Sequence, residues 1–198
     1  MNRKQGLDSI EDIRNMMERS SRFISLSGWS GVSAGIFALF GAWFAGKTIK
    51  SVEAIEHIVK QLAIIGTLTF VGALLSAFAF TWMRSRKTGV PIWGRAARQL
   101  LVSLAVPMFA GGSFILYLLW NRQIALVAPG CLTIYGIALF CGSRQTFEEI
   151  RYLAYSEMIL GLCSLFYTGY GLYFWAAGFG LLHIIYGVIM WIRHEKPA

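Results

Sequence analysis

The segment QLAIIGTLTFVGALLSAFAFTW, Gln61–Trp82, runs for 22 residues without one Asp, Glu, Lys or Arg. A helix needs roughly 20 apolar residues to cross about 30 Å of hydrocarbon, so this stretch predicts a membrane span. Five further segments read the same way: Ile24–Ala45, Leu100–Trp120, Ile124–Gly142, Leu153–Tyr170 and Tyr173–Ile192. Together the six hold 122 residues and one formal charge, Glu157, while the other 76 residues hold 27 charges. Helices of a soluble bundle would each carry a polar stripe, and these carry none.

The composition agrees. Charged residues make up 14% of the 198, against about 25% in an ordinary soluble domain. Hydrophobic residues reach 56%, and there are only 4 Pro and 3 Cys, which excludes disordered, collagenous and disulfide-scaffold classes. The expected fold is an all-α membrane protein of six transmembrane helices in three hairpins. Residues 1–23 form a cytoplasmic N-terminal segment, 24–192 the transmembrane domain and 193–198 a cytoplasmic tail. Asn121–Gln123 joins the third and fourth spans, and Gly171–Leu172 the fifth and sixth, with Gly169 and Gly171 supplying that turn. Links this short require antiparallel neighbours.

Basic residues set the orientation. With the N-terminus inside, 14 of the 18 Lys and Arg fall on the cytoplasmic side; only Lys47, Lys50, Lys60 and Arg122 fall outside. The net charge of +8 therefore reflects membrane topology, and no nucleic-acid partner is expected. Trp43, Trp120 and Trp175 fall at outer ends, Trp82 and Trp191 at inner ends, where an amphipathic ring suits the headgroup layer. Met83–Gln99 reads as an interfacial loop held by Trp93, its charges on anionic headgroups. The first 23 residues are polar and contain acids, so the first span is expected to be an uncleaved anchor.

Residues 7–22 read as an amphipathic helix, with Ser9 and Asp12 as a capping box and Leu7, Ile10, Ile13 and Met17 at helical spacing. It would rest on the inner membrane surface or dock a cytoplasmic protein partner. Helix-packing faces are expected at Ser27, Gly31 and Gly35, at Gly72 and Ser76, and at Gly161, Gly180 and Gly187, since small residues let membrane helices approach. The first of these seams suggests a homo-oligomer. Cys131, Cys141 and Cys163 lie within spans and read as small packing residues; Pro107 predicts a kink. Glu53 with His57, and Glu56 with Lys60, read as surface ion pairs along a second span that protrudes outward.

Two residues carry the functional expectation. Glu157 shares a helix face with Ala154, Gly161 and Ser164, and His183 shares one with Gly180, Gly187 and Trp191. Ionisable groups inside a membrane face a bundle interior or a cavity, so the two form a candidate intramembrane polar pair. It reads either as a buried structural pair or as a proton-titrating one. No nucleophile–base pair, cofactor motif or metal cluster accompanies them, so an enzyme is the least favoured class. A non-enzymatic sensory, regulatory or accessory membrane protein is the first expectation, and a small proton-coupled transporter using Glu157 and His183 the second.

A weak internal repeat also shows. Leu68–Leu75 matches Leu132–Leu139 at four of eight positions, and Ile134-Tyr135-Gly136 recurs as Ile185-Tyr186-Gly187. Ile13–Gly28, with Gly178–Gly187, resembles a family of uncharacterised multi-spanning bacterial membrane proteins over most of the chain. That resemblance implies the bacterial inner membrane and no particular activity. In pattern only, the three-hairpin plan is similar to the acid-resistance six-helix membrane proteins.

Overall fold

A computed structural model describes residues 26–51, 54–89 and 92–196, and among these it is helical, without a strand. Six helices follow one another: α1 Gly28–Ile49, α2 Ile55–Thr88, α3 Arg95–Trp120, α4 Ile124–Gly142, α5 Glu149–Phe166 and α6 Thr168–His194. All but α5 are long and apolar enough to cross a membrane. α5 has only 18 residues and includes Glu149, Arg151 and Glu157. The amphipathic segment at residues 7–22 lies outside the described residues, as does Glu53.

α6 is not uniform. It opens with a 3-10 turn at Thr168–Tyr170, runs as α-helix over Gly171–Trp175, widens to a π-helix over Ala176–Leu182 and returns to α-helix at His183–His194. The turn before it needs no left-handed glycine: Gly171 has φ −50°. Positive φ occurs instead at Arg122, in the α3–α4 turn, and at Gly89 (φ 70°), which ends α2 in the left-handed conformation that glycine adopts without strain.

Several boundaries differ from the sequence expectation. α2 persists to Thr88 and α3 begins at Arg95, so most of Met83–Gln99 is helix, not loop. The α2 stretch Trp82–Lys87 has no proline or glycine to stop it, and the break comes only at Gly89. With 34 residues α2 is about 51 Å long, well beyond the thickness of the hydrocarbon. α5 starts four residues before the expected Leu153 and stops four before Tyr170. Pro107 and Pro129 both lie inside their helices.

The packing has a clear order. α2 lies against α1, where Gly41 meets Thr69 and Gly72 meets the ring of Phe37. α3 lies chiefly against α4, and α4 against α5. α6 joins the two groups. It runs along α1 for most of its length and touches α4 and α5 on its other side, although α5 precedes it in the chain. Thus the final pair is not a closely packed hairpin; α6 takes α1 as its main neighbour.

The reason is on the facing surfaces. Gly28, Gly31 and Gly35 of α1 oppose Gly180, Ile184 and Gly187 of α6. A Cβ at Gly31 would lie 3.1 Å from the Cα of Gly187, and one at Gly35 would lie 2.6 Å from the Gly180 carbonyl oxygen. Backbones this close need glycine on both sides. The seam that suggested self-association is therefore occupied within one chain. Gly161 packs on Leu132 and Thr133 of α4, while Gly180 meets Leu39 and Gly187 meets Val32, both of α1. Ser76 is half-buried and donates to the Ala73 carbonyl at 3.0 Å. The repeated segments do not occupy equivalent places: Gly72 and Gly187 face α1, but Gly136 faces Ala154 and Met158 of α5.

A compact core forms where α4, α5 and α6 meet, from Leu139, Ile150, Leu153, Ala154, Tyr186 and Met190. Elsewhere the outer faces are apolar. Phe109 is 80% exposed and Leu68 67%, as suits side chains whose solvent is lipid. Cys141 and Cys163 are exposed on that surface and only Cys131 is half-buried, which corrects their reading as packing residues. Trp43, Trp82, Trp93 and Trp120 are exposed, whereas Trp175 and Trp191 are half-buried against Phe179 and Trp29. Lys47 stands 3.8 Å over the Trp43 ring and Arg86 4.2 Å over Trp82.

Candidate functional site: a buried carboxylate, imidazole and phenol

Glu157 is fully buried, and His183 is 6% exposed. His183 Nδ1 lies 3.4 Å from Glu157 Oε1. From the sequence boundaries the two would stand at different depths. The earlier start of α5 removes most of that difference. Glu149 pairs with Arg193 and His194, which levels the start of α5 with the end of α6. Glu157 then stands about 12 Å along α5 and His183 about 16 Å back along α6, a gap that two side chains span.

A third group completes the site. The Tyr135 hydroxyl of α4 is 2.8 Å from His183 Nε2, and the Gly178 carbonyl is 3.1 Å from His183 Nδ1. A carbonyl only accepts, so Nδ1 carries a proton and Nε2 of the neutral ring accepts from Tyr135. If the ring takes a second proton, it takes it at Nε2. Tyr135 then turns from donor to acceptor, and the bond survives in both states. Nδ1 sits beside the Glu157 carboxyl throughout.

Glu157 itself accepts no hydrogen bond: both oxygens are buried and unpartnered, as is Ser164 Oγ about two turns further along α5. A separation of 3.4 Å is long for a hydrogen bond, and Nδ1–H is already directed to Gly178. The surroundings are tight and apolar. A Cβ added at Gly178 would stand 2.6 Å from Glu157 Oε2 and would also strike Leu132. Phe179 packs on Tyr135, at 5.1 Å between ring centroids, and on His183, at 6.1 Å. The site is thus a tightly packed seam where α4, α5 and α6 meet.

The π-helix explains how α6 reaches both partners. A π turn widens the helix by one residue per turn, and such segments collect at functional sites. Here it ends at His183 and includes Gly178 and Gly180, the residues against Glu157 and against α1.

The sequence reading brought Glu157 and His183 to one site but missed Tyr135. A signal was present: Tyr135 stands in mid-span, far from the headgroup belt where tyrosine is otherwise placed, so its hydroxyl needs an internal partner. Also missed was the charged cluster at the end of the bundle where α1 begins and α6 finishes. Arg84 of α2 pairs with Glu195 Oε1 at 3.0 Å and donates to the carbonyls of Leu26 and His194. Glu195 also accepts from the Gly28 N–H and, at 3.2 Å, from the Ser27 hydroxyl, so it closes the open N-terminus of α1. At the opposite end Glu56 pairs with Arg122, across elements, and not with Lys60 as the spacing suggested.

Among the described residues, no group of three or more His, Cys, Asp or Glu is placed to hold a metal ion. Comparison of the chain with known protein families, with curated proteins and with solved structures gives no match.

Proposed function

We propose that the chain is a six-span protein of the bacterial inner membrane, with both termini cytoplasmic and α5 crossing as the short fifth span of a three-hairpin plan. Its role is non-enzymatic and sensory or regulatory. Glu157, His183 and Tyr135 form a proton-responsive element that changes how α6 sits against α4 and α5. The observation that carries this reading is the wholly buried Glu157 carboxylate with no hydrogen bond to either oxygen. Hydrogen bonding does not account for its presence, whereas a charge that pairs with His183 in one protonation state does. The inner-face cluster would carry the movement outward, since Glu195 and Glu149 tie the end of α6 to α1, α2 and α5.

A small proton-coupled transporter is the second reading, favoured by the free acceptor capacity of Glu157. The close packing around Gly178 and Leu132 favours the first. Purified protein in proteoliposomes separates them. The regulatory reading predicts a pH-dependent change in tryptophan fluorescence, lost in Glu157→Gln, with no net proton flux. A proton flux that Glu157→Gln abolishes would replace it with the transport reading.

A further inference from the structure

An open-sided groove of about 690 Å³ lies at one end of α3, between its first two turns and the 3-10 turn Ser143–Gln145 that follows α4. Arg95, Arg98 and Ser103 line it, with Trp93 at the mouth, Val102 at the inner end and Gln145 on the far wall. With its amide turned so that the nitrogen meets acceptors, Gln145 donates to the carbonyls of Gly142 and Cys141. Neither arginine has an acidic partner among the described residues: Glu56, Glu149 and Glu195 pair with other side chains, Glu157 is buried in the α4–α5–α6 seam, and the exposed Glu148 pairs with neither. Two unpaired guanidiniums side by side in one groove repel each other and await an anion.

The groove does not end in polar surface. Val102, Val106 and Phe109 follow at helical spacing on the same face of α3, each strongly exposed, at 61%, 65% and 80%. A cationic head above an exposed apolar track matches one kind of molecule. We propose that this groove binds an anionic phospholipid, with Arg95 and Arg98 on the phosphate, Trp93 at the glycerol level and an acyl chain along Val102, Val106 and Phe109. A zwitterionic lipid fits less well, because its ammonium would add a third cation to a site without an acid. That the lipid belongs to the inner leaflet rests on the orientation proposed above.

Full-length protein in mild detergent, incubated with an equal mixture of phosphatidylglycerol and phosphatidylcholine, tests this by native mass spectrometry. Wild type should retain one phosphatidylglycerol that Arg95→Gln/Arg98→Gln retains about tenfold less well. Lys47→Gln/Lys50→Gln, with the same loss of charge at the other end, should retain it as wild type does. Thermal midpoints of the variants establish that they fold. Should the arginine variant fail to fold, quenching by brominated phosphatidylglycerol takes its place and should be weaker in Trp93→Phe than in wild type. Equal retention in the wild type and the arginine variant, equal quenching in Trp93→Phe, or equal binding of phosphatidylcholine would overturn the proposal. So would displacement by soluble glycerol phosphate at a matching concentration, which would make the ligand a free phosphate. Labelling of Gln99→Cys from outside intact cells would overturn the inner-leaflet assignment alone and leave the headgroup site standing.

Discussion

His183 can lose Glu157 without losing a hydrogen bond, since Tyr135 and the Gly178 carbonyl already satisfy both ring nitrogens. Glu157→Leu therefore strands no partner and replaces a buried carboxyl that nothing hydrogen-bonds. We predict a thermal midpoint at or above that of wild type, because swapping a buried ionisable group for an apolar one of similar volume is often neutral or stabilising by about 1–4 kcal/mol. A clear loss of stability would show that Glu157 is a structural partner. His183→Asn should behave oppositely. It strands the Tyr135 hydroxyl and the Gly178 carbonyl in an apolar seam, at a cost of about 1–3 kcal/mol; a thermal melt in detergent checks it. The sequence made Glu157 and His183 legible because charge is so scarce in the spans. Tyr135 was legible only through its mid-span position, which leaves its hydroxyl in need of an internal partner but does not say which residue supplies it. The π-helix was not legible, because it arises from packing and not from local propensity.

The α1–α6 seam is the element that fixes the fold, and its glycines are the sensitive positions. Gly35→Leu would drive a side chain into Ile184 and the Gly180 backbone. Gly31→Leu would meet Gly187 and Tyr186. Each should cost roughly 1–3 kcal/mol or more and lower the yield of folded protein. Gly66→Ala on α2 is the matched control: no atom lies within 4 Å of its added Cβ, and alanine favours the helix by up to about 1 kcal/mol. Equal stability of Gly35→Leu and Gly66→Ala would mean that α1 and α6 are not in contact. The small-residue pattern in α1 was plain from the sequence, but its partner was not. Spacing identifies a face that wants close approach; it does not say whether the other backbone belongs to the same chain. The extent of α5 was misread for a related reason. Its first turn, Glu149–Tyr152, is charged and polar, so hydropathy placed it outside the span although it continues the helix.

The end of the bundle where α1 begins and α6 finishes is held by charges that hydropathy cannot place. Burial raises the pKa of Glu149, but hydrogen bonds from its own backbone and from Arg193 and His194 outweigh this and hold its carboxyl below the ordinary glutamate range. A group whose pKa falls on folding stabilises above its unfolded value, and that stabilisation is lost as pH falls through the folded value. Wild type should therefore lose stability in acid below the usual glutamate range, and Glu149→Gln should lose less over the same interval; melts across an acid series check this. The uneven distribution of the 18 basic residues motivates the proposed orientation, which predicts cytoplasmic signals from reporters fused after Gln99 and Ala198 and an external one near His57. A cytoplasmic signal at His57 would reverse the orientation. The central claim, that His183 takes up a proton under the influence of Glu157, is tested most directly by nitrogen NMR of the imidazoles in nanodiscs, where only three histidines contribute. His183 Nε2 should change from acceptor to protonated donor as pH falls, with Nδ1–H retained, and Glu157→Gln should suppress the change. A His183 signal that ignores pH in wild type, or that titrates identically in Glu157→Gln, would contradict it.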